Sequence, residues 1–253
     1  MYALNATTGA LLWSYATAFE VISSPAVANG VVYVGSTDGN LYALNATTGA
    51  LVWSYTIGNQ VDSSPAVANG IVYVGSDDHN VYALNASTGA LLWTYTTGST
   101  VSSSPAMANG AVYVGSLDKN LYALNATTGA LLWRYATIGF IYSSPAVANG
   151  VVYVSSDRHV YALNASTGAL LWRHQIGDGL RSSPAVANGV VYVGGNGNSA
   201  VDALNARTGD LLFRFASNSG LGFPSLGFRS SPAVANGVVY IGSGAHVYAF
   251  GLK

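Results

Sequence analysis

Short apolar runs and small polar turns alternate along the chain with a period near 40 residues. In the first complete period Ser23–Ala28 and Val31–Ser36 flank Asn29-Gly30. An Asn-Gly pair between apolar runs predicts a tight hairpin, because both residues tolerate positive φ. Leu41–Ala46 and Leu51–Tyr55 then flank Thr47-Thr48-Gly49, a second turn cluster. These four segments are predicted strands, A to D in order. Strand B reads Val-Val-Tyr-Val, apolar at consecutive positions as a strand covered on both faces must be. β-branched and aromatic residues dominate all four segments, and no stretch has the three-to-four spacing of an amphipathic helix.

The pattern is a true repeat. Ser-Ser-Pro-Ala-(Val/Met)-Ala-Asn-Gly begins at Ser23, Ser63, Ser103, Ser143, Ser182 and Ser230, at spacings of 40, 40, 40, 39 and 48. It alternates with Tyr-Ala-Leu-Asn-Ala-(Thr/Ser)-Thr-Gly-Ala-Leu from Tyr2, Tyr42, Tyr82, Tyr122 and Tyr161, with a diverged copy from Asp202. Residues 42–81 and 82–121 are identical at 28 of 40 positions, the mark of recent duplication or of deliberate assembly. A period of this length with four strands predicts an all-β fold, a six-bladed β-propeller with four antiparallel strands per blade, as one domain over 1–253. Both Tyr2–Asn5 and Val247–Phe250 carry the strand C pattern, one more than six blades need. The ring is therefore expected to close with N- and C-terminal strands in one blade, the N-terminus supplying C and D, the C-terminus A and B, and 247–253 left over. Closure would remove two apolar edges.

Composition narrows the function. Nine Lys and Arg against ten Asp and Glu, a net charge of −1, lack the basic footprint with which nucleic-acid binders displace counterions. Thirty glycines interrupt the apolar runs, so no membrane span of roughly 18–20 residues exists, and no secretory signal pattern is read at the N-terminus. The absence of cysteine excludes disulfides, thiolate metal sites and thiol nucleophiles. No His-Glu-x-x-His, Gly-x-Ser-x-Gly or phosphate-binding Lys loop occurs. Gly195-Asn196-Gly197-Asn198-Ser199-Ala200 matches a dinucleotide fingerprint in letters only, because it lies between strands B and C with no helix to receive a pyrophosphate.

The stretch Ala3-Leu4-Asn5-Ala6-Thr7-Thr8-Gly9-Ala10-Leu11-Leu12-Trp13 resembles the tryptophan-docking motif of pyrroloquinoline-quinone-type propellers, Ala-x-Asp-x-x-x-Gly-x-x-x-Trp. It recurs with Trp53, Trp93, Trp133 and Trp172, and Phe213 stands in the last copy. The resemblance implies that these side chains pack between blades. Asn replaces the family's Asp at Asn5, Asn45, Asn85, Asn125, Asn164 and Asn205, and closes the same side-chain-to-backbone turn. The first five of these are also Asn-Ala-(Thr/Ser) sequons, for which the turn role is preferred to glycosylation. The family spans quinone-dependent dehydrogenases, periplasmic assembly scaffolds and sensor domains, so it implies an extracytoplasmic setting but does not fix function. Its dehydrogenases are larger eight-bladed rings holding a calcium-bound quinone under an adjacent-cysteine disulfide. Six repeats without cysteine depart from that pattern, and neither catalysis nor a cofactor is expected.

His79, His159, His174 and His246 fall at different places in the repeats, and Asp77-Asp78 reads as a turn, so no metal site is expected. The repeats themselves differ mainly in the D–A and B–C connections, which share one face; the Ala-Asn-Gly and Thr-Thr-Gly turns of the other face hardly change. Variable loops on a rigid scaffold are where binding resides. The residue before each Ser-Ser-Pro opens innermost strand A and should rim a central channel: Ile22, Asp62, Ser102, Tyr142, Arg181 and Arg229. Residues 1–126 carry six acidic and one basic residue (−5), residues 127–253 four acidic and eight basic (+4). A dipolar rim suits a protein surface or small-molecule ligand of mixed charge, on a chain that is monomeric or weakly self-associating. Ser217–Phe228, eight residues beyond the common spacing, should be the most mobile stretch, with Phe223 and Phe228 as candidates for a lid.

Overall fold

The computed structural model describes residues 1–176, 182–195, 200–216, 230–243 and 246–251. Among them every regular element is a strand. β1 (Tyr2–Leu4) and β2 (Leu11–Ser14) form a pair. β3 (Ala26–Ala28), β4 (Val31–Gly35), β5 (Asn40–Asn45) and β6 (Leu51–Thr56) form a four-stranded sheet in chain order. The same order holds for β7 (Ala66–Ala68), β8 (Ile71–Gly75), β9 (Asn80–Asn85) and β10 (Leu91–Thr96), and for β11 (Ala106–Ala108), β12 (Ala111–Gly115), β13 (Asn120–Asn125) and β14 (Leu131–Ala136). It continues through β15 (Ala146–Ala148), β16 (Val151–Ser156), β17 (His159–Asn164) and β18 (Leu170–Gln175), then β19 (Ala185–Ala187), β20 (Val190–Gly194), β21 (Ala200–Asn205) and β22 (Leu211–Ala216). β23 (Ala233–Ala235), β24 (Val238–Ser243) and β25 (His246–Gly251) make a sheet of three. Sequence neighbours pair antiparallel, as in the sheets of β3–β6 and β15–β18.

Two compact units share the strands. One comprises Met1–Asp118 with Leu124–Ala130, the other Lys119–Ala123 with Leu131–Lys253. In the first unit Tyr33, Leu41, Trp53, Val61, Val72 and Leu84 form one apolar cluster; in the second, Tyr153, Val160, Trp172, Val191 and Leu204 form its counterpart. In the four-stranded sheets the second and third strands carry the burial, which explains their unbroken apolar runs.

The turns follow the sequence reading closely. Asn29 and Gly30 both take positive φ, +50° and +75°, and the pair repeats this at every Ala-Asn-Gly. In the next turn the Asn45 side-chain oxygen accepts the N–H groups of Thr47 and Thr48, both at 2.9 Å. A register shift between Ala43 and Leu44 pairs Leu44 with Leu51 and Ala43 with Trp53. The extra residue leaves Leu51 and Val52 exposed and turns Trp53 inward.

Two expectations are corrected. Strand A, expected over Ser23–Ala28, pairs only over Ala26–Ala28. Pro25 has no N–H to give a ladder, and the Ser23 hydroxyl takes over: it donates to Gly35 O at 2.8 Å and accepts from Gly35 N–H at 2.9 Å. At the C-terminus, β25 pairs with β24 from Ser243↔His246 to Val238↔Gly251, so 246–251 is a bonded third strand rather than a leftover. A tight hairpin needs no distant partner to form. The terminal strands accordingly lie in a two-stranded and a three-stranded sheet.

Candidate functional site

The second serine of each Ser-Ser-Pro ties its strand to the next. Ser24 N–H donates to Ser64 Oγ at 2.8 Å, and Ser64 N–H to Ser104 Oγ at 2.9 Å. In the other unit Ser144 N–H donates to Ser183 Oγ at 2.9 Å, and Ser183 N–H to Ser231 Oγ at 3.0 Å. The first serine is buried against the adjoining strand at Ser23, Ser63, Ser103, Ser143 and Ser182, and exposed at Ser230. An invariant frame thus holds the varying residue in front of it. Ile22 is exposed, Asp62 and Ser102 are half-buried, and Tyr142 is exposed with its ring edge-on to Phe140 at 6.4 Å. Lys119 Nζ lies 5.5 Å above that Phe140 ring. Arg181, Arg229, Ser217–Phe228 and Asn196–Ser199 lie outside the described residues.

Around Asp62 the chemistry is specific. Asp62 Oδ1 is buried without a hydrogen-bond partner. Burial, and then the charge of Asp77, hold its carboxyl above the ordinary range. Burial raises Asp77 too, against the hydrogen bond that Ser102 Oγ donates to its Oδ1 at 3.5 Å. These two carboxyls, with Ser102 beside them, form a patch whose charged state a cationic group would stabilise. Asp38 is the contrast. Burial alone would raise it, but Tyr42, Asn40 and the Ala18 N–H donate to its oxygens and bring it below the ordinary value. Tyr42, half-buried and facing that carboxylate, is pushed up to about 12. Asp78 is engaged in the same way by Asn80 N–H and the Tyr82 hydroxyl, so of the Asp77-Asp78 pair one member shapes the turn and the other faces the patch. Asp77 is the member of this group that the repeat comparison leaves out of the rim.

The histidines are spread over several sheets, and of them His159 and His174 are neighbours on the paired strands β17 and β18. His79 occupies a turn at φ +76°, His159 and His246 open β17 and β25, and His174 lies within β18. Among the described residues no group of three or more His, Cys, Asp or Glu could hold a metal. Ala200, at the end of the dinucleotide-like stretch, begins a strand.

A second feature repeats between sheets. Trp13 Nε1 donates to Ala46 O at 2.9 Å, Trp53 to Ala86, Trp93 to Ala126 and Trp133 to Ala165 at the same distance, and Trp172 to Ala206 at 3.0 Å. The Tyr33 hydroxyl joins Trp53 on Ala86 O, and Tyr153 joins Trp172 on Ala206 O, both at 3.0 Å. The adjacent turn glycine must be glycine: a Cβ on Gly49 would lie 2.7 Å from the Trp13 ring, besides straining φ +73°. Trp13, Trp53, Trp93 and Trp172 are 8% exposed and Trp133 is half-buried. Phe213 keeps the register, opposite Ala203, yet is 42% exposed. With Tyr192, Leu212, Arg214 and Phe250 it lines a cavity of about 660 Å³. Arg214 is held there by fully buried Asp202 through two 2.6 Å bonds, a pair that replaces the Tyr and Ser of β5 and β6.

A family profile described as outer membrane protein assembly factor BamB matches residues 1–60, 38–141 and 139–253. The chain belongs to this family. Its fold matches BamB from Moraxella catarrhalis with a TM-score of 0.83 at 24% identity, over 98% of this chain and 77% of that one. The computationally designed Ika8 protein matches with a TM-score of 0.85 at 19% identity, over 99% and 77%. The quinohemoprotein alcohol dehydrogenase ADHIIG from Pseudomonas putida HK5 matches at 0.74 and 19% identity, over 91% of this chain and 52% of that one. No curated protein sequence matches the chain. The resemblance to pyrroloquinoline-quinone-type propellers therefore holds, and the sheets of this BamB-family chain are blades of a β-propeller. The quinone of the dehydrogenases does not fit the residues present. The chain has no cysteine to cover it, and its described carboxylates gather in no set that would hold the calcium.

Proposed function

We propose that this BamB-family propeller is a non-catalytic binding and assembly scaffold: six blades acting as one domain over 1–253, with the N- and C-terminal strands contributing to one blade. The Trp side chains and, less completely, Phe213 are its docking anchors. The partner binds the variable face at Ile22, Asp62, Ser102, Tyr142, Arg181 and Arg229, and is a protein segment carrying cationic groups for the Asp62–Asp77 patch and an anionic group for the two arginines. The observation that carries this reading is the orphaned, buried oxygen of Asp62 beside Asp77, held in place by the serine frame that repeats while these positions change. Carboxyls whose charged form burial disfavours are poised to gain most from an arriving cation.

The test uses the full chain and a fluorescent arginine-rich peptide, with binding followed by anisotropy at low and high salt. Saturable binding that weakens with salt and is lost in Asp62→Asn/Asp77→Asn supports the reading. Equal binding by that variant removes the patch from it. A second reading, repeats amplified or assembled without a selected ligand, is favoured by the 28 of 40 identities between adjacent repeats and by the likeness to a designed propeller. It predicts that exchanging all the rim residues for serine changes neither folding nor any binding.

A further inference from the structure

The outer strand of a sheet leaves alternate N–H and C=O groups facing away from its one neighbour, a row that a further strand can continue. Among the described residues β18 holds that place beside β17, and β14 and β22 hold it in their own sheets. Each opens with an exposed apolar pair, Leu131 and Leu132 on β14, Leu170 and Leu171 on β18. Two residues after the pair comes an arginine: Arg134, Arg173 and, on β22, Arg214. The outer strands β2, β6 and β10 carry apolar pairs too, but Ser14, Ser54 and Thr94 stand at that position.

The three arginines differ in what they meet. Arg214 lies opposite Asp202, which is fully buried and accepts two 2.6 Å bonds from its guanidinium. Arg173 lies opposite Tyr161 and beside its hydroxyl, a neutral group. Arg173 and Arg134 are both exposed, and among the described residues neither makes an ion pair. The chain itself thus shows which group completes this position: a carboxylate, bound through two parallel bonds.

We infer that the edges of β18 and β14 receive an extended acidic segment of another protein. Its backbone adds a strand to the sheet, its apolar side chains cover the leucine pair, and a carboxylate meets Arg173 or Arg134. The net charge of +4 over residues 127–253 draws such a segment in. An anionic lipid surface would satisfy the arginine and the leucines but has no backbone to continue the ladder. A second copy of the chain does not supply the segment either. Among the described strands only β21 contains an Asp or Glu, and that residue, Asp202, is buried.

The test uses the full chain and a short fluorescent peptide of valine and glutamate, followed by anisotropy. Saturable binding is expected. The same peptide with glutamine for glutamate, and one methylated on its backbone nitrogens, should each bind at least about tenfold more weakly, the first lacking the carboxylates and the second the ladder. Arg134→Ser/Arg173→Thr puts at both edges residue types that the fold already holds there, at Ser54 and Thr94. Its circular dichroism spectrum should be unchanged while binding falls at least about tenfold. Equal binding of the three peptides would overturn the proposal. So would full binding by the double variant, which would send the peptide to Arg181 and Arg229 or elsewhere. If phosphatidylcholine–phosphatidylglycerol vesicles bind the parent and not the variant while the peptide binds neither, the edges belong to lipid and the proposal falls. Self-association abolished by the same variant would assign them to a second copy, with the same consequence. Asp62→Asn/Asp77→Asn should bind the acidic peptide as the parent does, so failure here leaves the rim reading standing.

Discussion

Tyr82, Tyr122 and Tyr161 are at most 8% exposed, and Tyr2, which opens the same Tyr-Ala-Leu-Asn-Ala motif, is 74% exposed. Val247 differs from Val81 and Val160 in the same way. The local structure is nonetheless alike: β1 pairs with β2 through the same register shift as β5 with β6 or β17 with β18. The motif therefore sets the hairpin, and the neighbouring strands and sheet set the burial. Phe213 and Trp172 extend the lesson. Both face an alanine of the adjacent strand; Trp172 donates to the Ala206 carbonyl and is buried, whereas Phe213, with no N–H to donate, is 42% exposed.

Breaking an internal junction, a Trp ring bonded to the alanine carbonyl of the next sheet, should cost far more than truncating the exposed Phe213 ring. Trp93→Ala removes a buried ring and its bond to Ala126, and should destabilise the chain by roughly 3–5 kcal/mol in urea unfolding, against about 1 kcal/mol or less for Phe213→Ala. Equal losses would mean that the internal junctions carry no special stability. A turn glycine sharpens the point. Gly129→Ala places a Cβ 2.7 Å from the Trp93 ring at φ +72°, for an expected cost of roughly 2–4 kcal/mol, while Gly9→Ala, at φ +71° in open space, should cost only the backbone penalty of roughly 1–2 kcal/mol. Melting temperatures of the two variants, measured side by side, decide it. The first serine offers the same contrast on a smaller scale. Ser63→Ala leaves the buried Gly75 N–H unmatched and should cost about 1–3 kcal/mol, whereas Ser230→Ala breaks the equivalent bonds to Gly242 where water can replace them and should cost about 0.5 kcal/mol.

The smallest effect concerns Asp62 and Asp77 and appears as a pH dependence. Both carboxyls sit above their ordinary value of 3.8 in the folded chain, so the protonated form favours folding. Their contribution is complete below about pH 4, the unfolded value, and is lost as pH rises through the raised folded values. Asp62→Asn should raise the melting temperature slightly at pH 7 and flatten its slope between pH 4 and 7; a steeper slope in the variant would invert the assignment. Asp38, held below its ordinary value, should act oppositely: its contribution is present above the unfolded value and lost on acidification through the lowered folded one.

Much of this was open to reading in the chain itself. Repeat period, strand order and turn chemistry are local properties: Asn29-Gly30 needs only its own φ values, and Asn45 only the N–H groups two and three residues on. The positions proposed for the partner stand out in the sequence as the places where near-identical repeats disagree. Asp77 stands out less, because its role appears only when Ser102, a full strand pair away, comes within reach of its oxygen. The length of strand A was also misjudged. Apolar pattern marks Ser23–Ala28 as extended, but which of those residues bond through backbone and which through the Ser23 hydroxyl depends on where Gly35 lies.

Sequence by itself determined the four-strand repeat and its two turn types, since each follows from side-chain alternation and backbone geometry within about 40 residues. Tertiary structure decided which copies of that repeat are satisfied. A tryptophan N–H, a turn glycine and an alanine carbonyl are three residue types in any copy of the motif; they become a junction only where the next sheet brings the carbonyl within 3 Å of the ring nitrogen. Identical letters thus end buried at Tyr161 and bare at Tyr2, because burial belongs to a pair of neighbours and not to a residue.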